Sequence, residues 1–357
     1  MKLSKLIIAI CIFLSMLEAN EASSKENSPS VIWTIAKKKL PLPSCASKEL
    51  LSILSKVKQS NVEALKEFTP KSKKQWQEWI EYSKSSGTDV VKDFAKKYSV
   101  NIEKKVIEGI DTYYLTPASI APQNSKKVFI YLHGGAYIFG GGMSGLSEAV
   151  LIASRVQMPV IAIDYRMPPD YPFPTAIEDV VKVYKSLIES YSTKSIAMGG
   201  SSSGGGLTLA TIHKLKELKI TLPSALFVGT PWADLNKNGD SLFVNEGIDR
   251  KIVTYDGFVT AAAKLYANGT DLNNSGLSPI YGDFSNFPPT MLVTGTRDLF
   301  LSFTVRVHRK LRQAGVEADL NVYEGLSHVE YFVIPDAPES IEAYSELGKF
   351  LDKHLEK

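Results

Sequence analysis

The feature that most limits how this chain can fold is a short stretch in which a predicted strand runs directly into a glycine-rich turn and a helix. Residues 195–198 lead into Gly-Gly-Ser-Ser-Ser-Gly-Gly-Gly at 199–206, and a helical pattern follows. Of the three serines, only Ser202 has a glycine two positions away on both sides, Gly200 and Gly204. This spacing is typical of a strained strand-to-helix turn that leaves the serine hydroxyl exposed at the helix N-terminus. It predicts that Ser202 is a nucleophile and that the amide of Ser203 faces a developing oxyanion.

Two other interpretations of the glycine-rich run are weaker. A flexible Gly/Ser linker would not lie between a buried strand and an amphipathic helix. A phosphate-binding loop of the P-loop type needs a lysine after its glycines, and residues 199–206 contain none.

The chain after position 99 predicts an α/β fold. Short runs of β-branched and aromatic residues alternate with helical patterns, which is typical of a parallel sheet covered by helices on both faces. The predicted strands of that sheet are residues 128–132, 160–165, 195–198, 225–228, 290–293 and 316–322, with helices at 175–189, 204–218 and 301–314. Two earlier strands, 100–107 and 111–115, flank a turn at Glu108-Gly109.

Two helical regions are expected to form a cap over the sheet. Residues 44–98 carry apolar side chains at helical spacing, and the pair Trp76 and Trp79 predicts a core position or the underside of a lid. The interval between the strands at 225–228 and 290–293 is about twice as long as the others and contains a helical pattern at 255–266. Because ligands of open α/β sheets bind beyond the carboxyl ends of the strands, both regions are expected to meet there.

Composition and charge exclude several classes of protein. The 357 residues are 44% hydrophobic and 22% charged, which excludes a disordered or low-complexity chain. The formal net charge of +3 is too small for nucleic acid to be the main partner. A small molecule is therefore the expected partner.

A second motif, His133-Gly134-Gly135-Ala136, follows the predicted strand at 128–132. Such a run at a strand end, upstream of a nucleophilic serine, supplies backbone amides to an oxyanion. We therefore expect the oxyanion hole to consist of amides from Gly134, Gly135, Ala136 and Ser203. His133 is expected to orient this loop and not to act as the base.

The acid and the base are expected after Ser202, because this fold orders its triad as nucleophile, acid, base. His328 follows a predicted strand directly, so a loop can direct its imidazole at the serine. Asp298 occupies the matching position after the preceding strand, where it would fix the tautomer of the imidazole and stabilise the imidazolium. The remaining candidates lie in predicted helices, near the chain end or in the insertion: His213, His308, His354, Asp271 and Asp283.

The first 22 residues have the pattern of a signal peptide. Lys2 and Lys5 precede an apolar run at 6–17, and a polar stretch follows. This run is shorter than the roughly 20 residues that a spanning helix needs, which disfavours a retained anchor. The pattern predicts an exported protein, periplasmic or secreted, without stable membrane insertion of the mature chain. Cleavage after Ala19 or Ala22 stays open.

Together these motifs resemble the hormone-sensitive-lipase-like branch of the α/β-hydrolases, which includes bacterial acetyl-esterase and ε-lactone-hydrolase-like enzymes. A further segment at 164–174, Asp-Tyr-Arg-Met-Pro-Pro-Asp-Tyr-Pro-Phe-Pro, is similar to a stretch of that branch, and the likeness extends from about residue 128 to the C-terminus. The resemblance implies an α/β-hydrolase fold with a helical cap. The expected organisation is a signal peptide at 1–22, a helical cap region at 23–99 and a catalytic domain at 100–357 with a cap insertion at about 233–285.

The sequence departs from the pattern of this branch at two positions. Ser201 stands where the family usually has an aspartate before the nucleophile, which removes a charge beside the turn. Asp170 replaces a usual glutamate and is shorter by one methylene. Neither departure involves Ser202, Asp298 or His328.

The resemblance implies a serine carboxylesterase that acts on esters of short to medium acyl chains and needs no cofactor and no metal. A lactonase acting on cyclic esters would use the same residues. A non-catalytic receptor on this fold is the alternative from another class, but such receptors have lost the catalytic histidine, and His328 is present. The oligomeric state stays open.

Overall fold

The computed structural model describes residues 39–356, and the compact unit that begins at Leu42 is built on one eight-stranded sheet. The strands are β1 (Val100–Ile107), β2 (Ile110–Pro117), β3 (Val128–Leu132), β4 (Val160–Ile163), β5 (Ile196–Ser201), β6 (Ala225–Gly229), β7 (Thr290–Gly295) and β8 (Ala318–Tyr323). Their order across the sheet is β1-β2-β4-β3-β5-β6-β7-β8. The β1–β2 and β2–β4 pairs are antiparallel, and the other pairs are parallel. The predicted α/β fold is thus confirmed, whereas the predicted signal peptide lies outside the described residues.

Helices cover both faces of this sheet. They are α1 (Lys48–Leu54), α2 (Val62–Lys66), α3 (Lys73–Lys97), α4 (Ser147–Val156), α5 (Thr175–Ser190), α6 (Ser203–Glu217), α7 (Ser241–Val244), α8 (Phe258–Ala267), α9 (Leu301–Gln313), α10 (Glu330–Val333) and α11 (Pro338–His354). Helices α5, α6 and α9 pack on one face, and α4 and α11 pack on the other. Alternate residues of β3 join the two cores, and all five are buried, so the strand is apolar throughout.

Element boundaries differ from the sequence prediction where a local contact decides them. The last strand begins at Ala318 and not at 316, because the amide of Val316 still bonds to the carbonyl of Leu311 at the end of α9. The inserted helix α8 begins at Phe258, directly after Gly257, whose φ of +82° cannot continue a right-handed helix.

The N-terminal helices contact the insertion, as the sequence predicts. Trp76 on α3 is buried, and its ring lies 5.7 Å from the ring of Phe258 on α8. Phe258 in turn stacks on Phe139, which follows β3, at 5.5 Å. The core or lid position predicted for the tryptophan pair is therefore confirmed for Trp76. These contacts join the N-terminal helices and the insertion to the loop after β3.

Between residues 39 and 356, no helix is both long and apolar enough to cross a bilayer. The same residues contain no group of three or more His, Cys, Asp or Glu side chains arranged to hold a metal ion.

Candidate active site

Ser202 lies at the sharp turn between β5 and α6. Its φ of +60° and ψ of −125° are values that residues with a Cβ rarely adopt. The amide of Ser202 donates to the carbonyl oxygen of Gly229 over 2.9 Å, so the end of β6 holds the turn in place. A Cβ at Gly200 or at Gly204 would overlap the carbonyl oxygen of Leu132. The two glycines of the motif are therefore required by the close approach of β3.

The loop after β3 packs directly against this turn. A Cβ on Gly134 would lie 3.0 Å from the carbonyl oxygen of Ser201 and 3.4 Å from Cβ of Ser202. Gly135 has a φ of +116°, and Ala136 has a φ of +57°. The side chain of Ala136 is therefore held in the left-handed region, at a cost of about 1 kcal/mol for a residue with a Cβ.

His133 shapes this loop from within the core. Its ring stacks on the ring of Tyr165 with centroids 4.1 Å apart, and its Nδ1 donates to the carbonyl oxygen of Gly134 over 2.8 Å. Burial lowers the pKa of His133, which favours the neutral ring. The hydroxyl of Tyr165 donates to the carbonyl oxygen of His133 over 2.7 Å. These contacts fit the loop-orienting position that the sequence predicts for His133.

Asp298 and His328 meet at the carboxyl ends of β7 and β8. Nδ1 of His328 lies 3.1 Å from Oδ1 of Asp298, and Asp298 is fully buried. The hydroxyl of Thr294 donates to the second carboxylate oxygen over 2.8 Å, and the hydroxyl of Thr230 contacts both that oxygen and Nδ1 of His328. Among the described residues, Nε2 of His328 has no hydrogen-bond partner. The imidazole is thus oriented through Nδ1, and its other nitrogen is left available. The sequence did not indicate either threonine.

One cavity of about 530 Å³ brings most of the predicted residues together. Ser202 and His328 line it, as do Gly134, Gly135 and Ala136. Its walls are mostly apolar and include Leu65, Phe68, Phe139, Trp232, Val253, Phe258, Val259 and Phe332. Ser203 and Asp298 are fully buried and do not line the cavity. Burial is compatible with the roles predicted for them, since Ser203 would contribute only its backbone amide and Asp298 only its hydrogen bond to His328.

A buried carboxyl group that the sequence did not indicate contacts the residue before Ser202. Oε1 of Glu148 accepts from the hydroxyl of Ser201 over 2.6 Å, and Oε2 accepts from the hydroxyl of Tyr131 over 3.2 Å. The hydroxyl of Tyr331 lies 2.5 Å from Oγ of Ser201. Burial raises the pKa of Glu148 to about 7. A carboxyl group from the first turn of α4 thus contacts Ser201, which stands where the family usually has an aspartate.

The second departure from the family pattern lies at the surface. Asp170 forms an exposed ion pair with Lys73, with Nζ 2.6 Å from Oδ1. Asp170 does not line the cavity. The shorter carboxylate at this position therefore has no contact with the proposed chemistry.

The chain is similar to known hydrolases and esterases. A family model described as alpha/beta hydrolase fold matches residues 129–332. An acetyl-hydrolase of Streptomyces hygroscopicus is 29% identical over 226 residues, which cover 63% of this chain and 75% of that protein. An esterase of Acinetobacter venetianus is 27% identical over 231 residues, 64% of this chain and 76% of that protein.

Solved structures extend the similarity to nearly the whole chain. The crystal structure of an esterase, E25, matches with a TM-score of 0.89 and 47% identity, over 91% of this chain and 99% of that one. A crystal structure of an esterase from the bacterial hormone-sensitive lipase family matches with a TM-score of 0.67 and 27% identity, over 76% of this chain and 99% of that one.

Proposed function

Because this chain belongs to the hormone-sensitive-lipase-like α/β-hydrolases and is an ester hydrolase, we propose that it hydrolyses carboxylic esters through Ser202, His328 and Asp298. The observation that carries the proposal is the pairing of His328 Nδ1 with Asp298, which leaves Nε2 available in the cavity that Ser202 also lines. A general base needs that arrangement, in which one nitrogen is fixed by an acceptor and the other can take a proton.

The proposed reaction has two acyl-transfer steps. Ser202 attacks the ester carbonyl while His328 takes the hydroxyl proton, and the imidazolium then protonates the leaving alcohol. A water molecule, activated in turn by His328, cleaves the acyl-enzyme. Asp298 keeps the imidazole in its reactive tautomer and stabilises the imidazolium.

The oxyanion of each tetrahedral intermediate would be bound by main-chain amides. Gly134, Gly135 and Ala136 line the cavity beside Ser202, and the amide of Ser203 is the first of helix α6. The first amides of a helix have no intrahelical partner, and the helix dipole favours negative charge there. Such preorganised donors stabilise the transition state more than the ground state.

The cavity supports esters with short to medium acyl chains as substrates. Its volume of about 530 Å³ falls in the lower half of the range of about 300–1,000 Å³ that small-molecule sites occupy. Aromatic side chains from three separate parts of the chain, Phe68, Phe139 and Phe258, line it. We expect p-nitrophenyl acetate, butyrate and octanoate to be hydrolysed with higher kcat/KM than the palmitate ester.

Substitution of the nucleophile tests the proposal. The Ser202→Ala variant is expected to lose about four to six orders of magnitude in kcat on p-nitrophenyl butyrate, as loss of a triad member does elsewhere. Ser190→Ala, at the exposed end of α5, serves as the control and should keep wild-type kinetics. Turnover by Ser202→Ala within tenfold of the wild type would rule the assignment out.

A further inference from the structure

The insertion between β6 and β7 contributes a segment, Asn245 to Ile252, that contacts both loops carrying the acid and the base. Nδ2 of Asn245 donates to the carbonyl oxygen of Asp298 over 2.8 Å. Arg250 donates from Nη2 to the carbonyl oxygen of Gly325 over 2.7 Å and pairs through Nε with Glu330 over 2.9 Å. The segment therefore lies against the Asp298 loop at one end and the His328 loop at the other.

Asp249, near the middle of this segment, accepts hydrogen bonds from four backbone amides. Oδ2 accepts from Leu299 over 2.7 Å and from His328 over 3.3 Å. Oδ1 accepts from Lys251 over 2.7 Å and from Ile252 over 3.0 Å. One carboxylate thus joins the residue after Asp298, the amide of the base itself and the cavity wall, because Lys251 and Ile252 line the cavity.

Burial of the Asp249 carboxyl group would destabilise the folded protein if these hydrogen bonds were absent. The residue is 1% exposed and does not line the cavity. Burial and the nearby Asp298 raise the pKa of Asp249 to about 6. A buried carboxylate without donors would destabilise the fold, whereas amides from several loops compensate its lost hydration.

Other contacts between the two loops lie earlier in each loop. The amide of Arg297 donates to the carbonyl oxygen of Leu326 over 3.0 Å, and the amide of Gly325 donates to Oγ1 of Thr296 over 2.8 Å. Asp249 adds its contacts at Leu299 and at His328. A small shift of the backbone at either residue changes the distance between the imidazole of His328 and the carboxylate of Asp298.

We propose that Asp249 is a positioning residue, which holds the Leu299 and His328 backbones so that the imidazole stays aligned with Asp298 and with Ser202. The inference rests on the proposed function, since it assumes that His328 is the base. It also assigns a task to the insertion, which ties a wall of the substrate cavity to the catalytic loops. A misplacement of about 1 Å at such a site costs on the order of 100-fold in rate.

The test compares Asp249→Asn with Asp271→Asn, an exposed aspartate of the same insertion. Asparagine has nearly the shape of aspartate but only one side-chain oxygen. Its NH2 group must therefore face one of the two pairs of backbone N–H donors, which cannot hydrogen-bond to it. A fluorophosphonate probe counts the reactive sites in each preparation, and kcat is expressed per labelled site with p-nitrophenyl butyrate as substrate. Partial unfolding therefore cannot mimic a positioning effect.

We expect Asp249→Asn to lower kcat per labelled site by about 10- to 100-fold, with KM within about twofold of the wild type, while Asp271→Asn changes neither. A kcat per labelled site within twofold of the wild type would overturn the inference. If Asp249→Asn yields no folded protein, Asp249→Glu, which keeps the charge but displaces both oxygens, carries the same two outcomes. Failure of the proposed function is distinguishable, because the wild type would then show no labelling at Ser202, whether or not it turns over the ester.

Discussion

Single buried side chains at this site make the stability of the protein depend on pH. Glu148 is the clearest case, because it is 1% exposed and its partners are the hydroxyl groups of Ser201 and Tyr131. Its pKa is raised from 4.5 to about 7 by burial. The folded protein therefore keeps a proton on this carboxyl between those pH values, where the unfolded chain has released it.

Replacement of Glu148 by glutamine isolates this effect. A carboxyl with a raised pKa contributes stability that is fully present below about pH 4.5 and is lost as the pH rises through about 7. Relative to the wild type, Glu148→Gln should gain up to about 3 kcal/mol in unfolding free energy between pH 4.5 and 8. Urea unfolding at several pH values measures this difference. A difference that does not vary with pH, as expected for the exposed control Glu189→Gln, would contradict the burial argument.

Two adjacent residues of the loop after β3, which is the proposed oxyanion loop, should respond differently to a change of one methyl group. Gly135→Ala places a Cβ against the backbone of Phe139 at a φ of +116°, so the loop must move. Loss of one oxyanion donor costs about 100- to 1,000-fold in kcat, and we expect at least that loss. Ala136→Gly relieves a left-handed alanine and should keep activity, with stability changed by about 1 kcal/mol or less. Steady-state kinetics of both variants measures the contrast, and equal losses would contradict the loop geometry.

At the scale of elements, helix α3 packs against a residue of α8 that lines the cavity. Trp76 is buried between this helix and Phe258 of α8, and Phe258 lines the cavity. Another aromatic residue on the same helix, Tyr82, is 76% exposed. Substitution of Trp76 therefore tests the packing of α3 against α8, and substitution of Tyr82 is a control on the same helix.

Truncation of these two side chains tests that difference. Trp76→Ala should cost about 3–5 kcal/mol of stability and should change KM more for octanoate than for acetate esters, because the roof of the cavity loosens. Tyr82→Ala should stay within about 0.5 kcal/mol of the wild type. Thermal unfolding and kinetics with the two esters provide the measurements. An unchanged KM ratio in Trp76→Ala would show that α3 does not shape the cavity.

At the scale of the whole molecule, the sequence was sufficient to predict the position of a residue where a local motif or the end of a strand determines that position. The Gly-x-Ser-x-Gly turn is local, so the sharp turn at Ser202 could be predicted from adjacent residues alone. The contact between Asp298 and His328 could be predicted because parallel strands end at one edge of the sheet, so residues following β7 and β8 become neighbours. The contact of Trp76 with the insertion followed from the same reasoning.

Residues whose importance depends on tertiary packing could not be predicted in this way. Glu148 lies in the first turn of α4, where an acidic residue is ordinarily explained by the helix dipole and not by burial. Asp249 lies in an irregular stretch of the insertion, and the loops that it joins are about 50 and 80 residues away in sequence. No period or motif marks either residue, because their partners are backbone amides and hydroxyl groups brought together only by the fold.

In the proposed mechanism Ser202 is the nucleophile and His328 activates it. Because three serines are adjacent, the decisive measurement is labelling with a fluorophosphonate probe, followed by peptide mapping with mass spectrometry. We predict an adduct on Ser202 alone, no adduct at positions 201–203 in Ser202→Ala, and strongly slowed labelling in His328→Ala. An adduct on Ser201 or Ser203, or labelling that proceeds at the wild-type rate without His328, would contradict it.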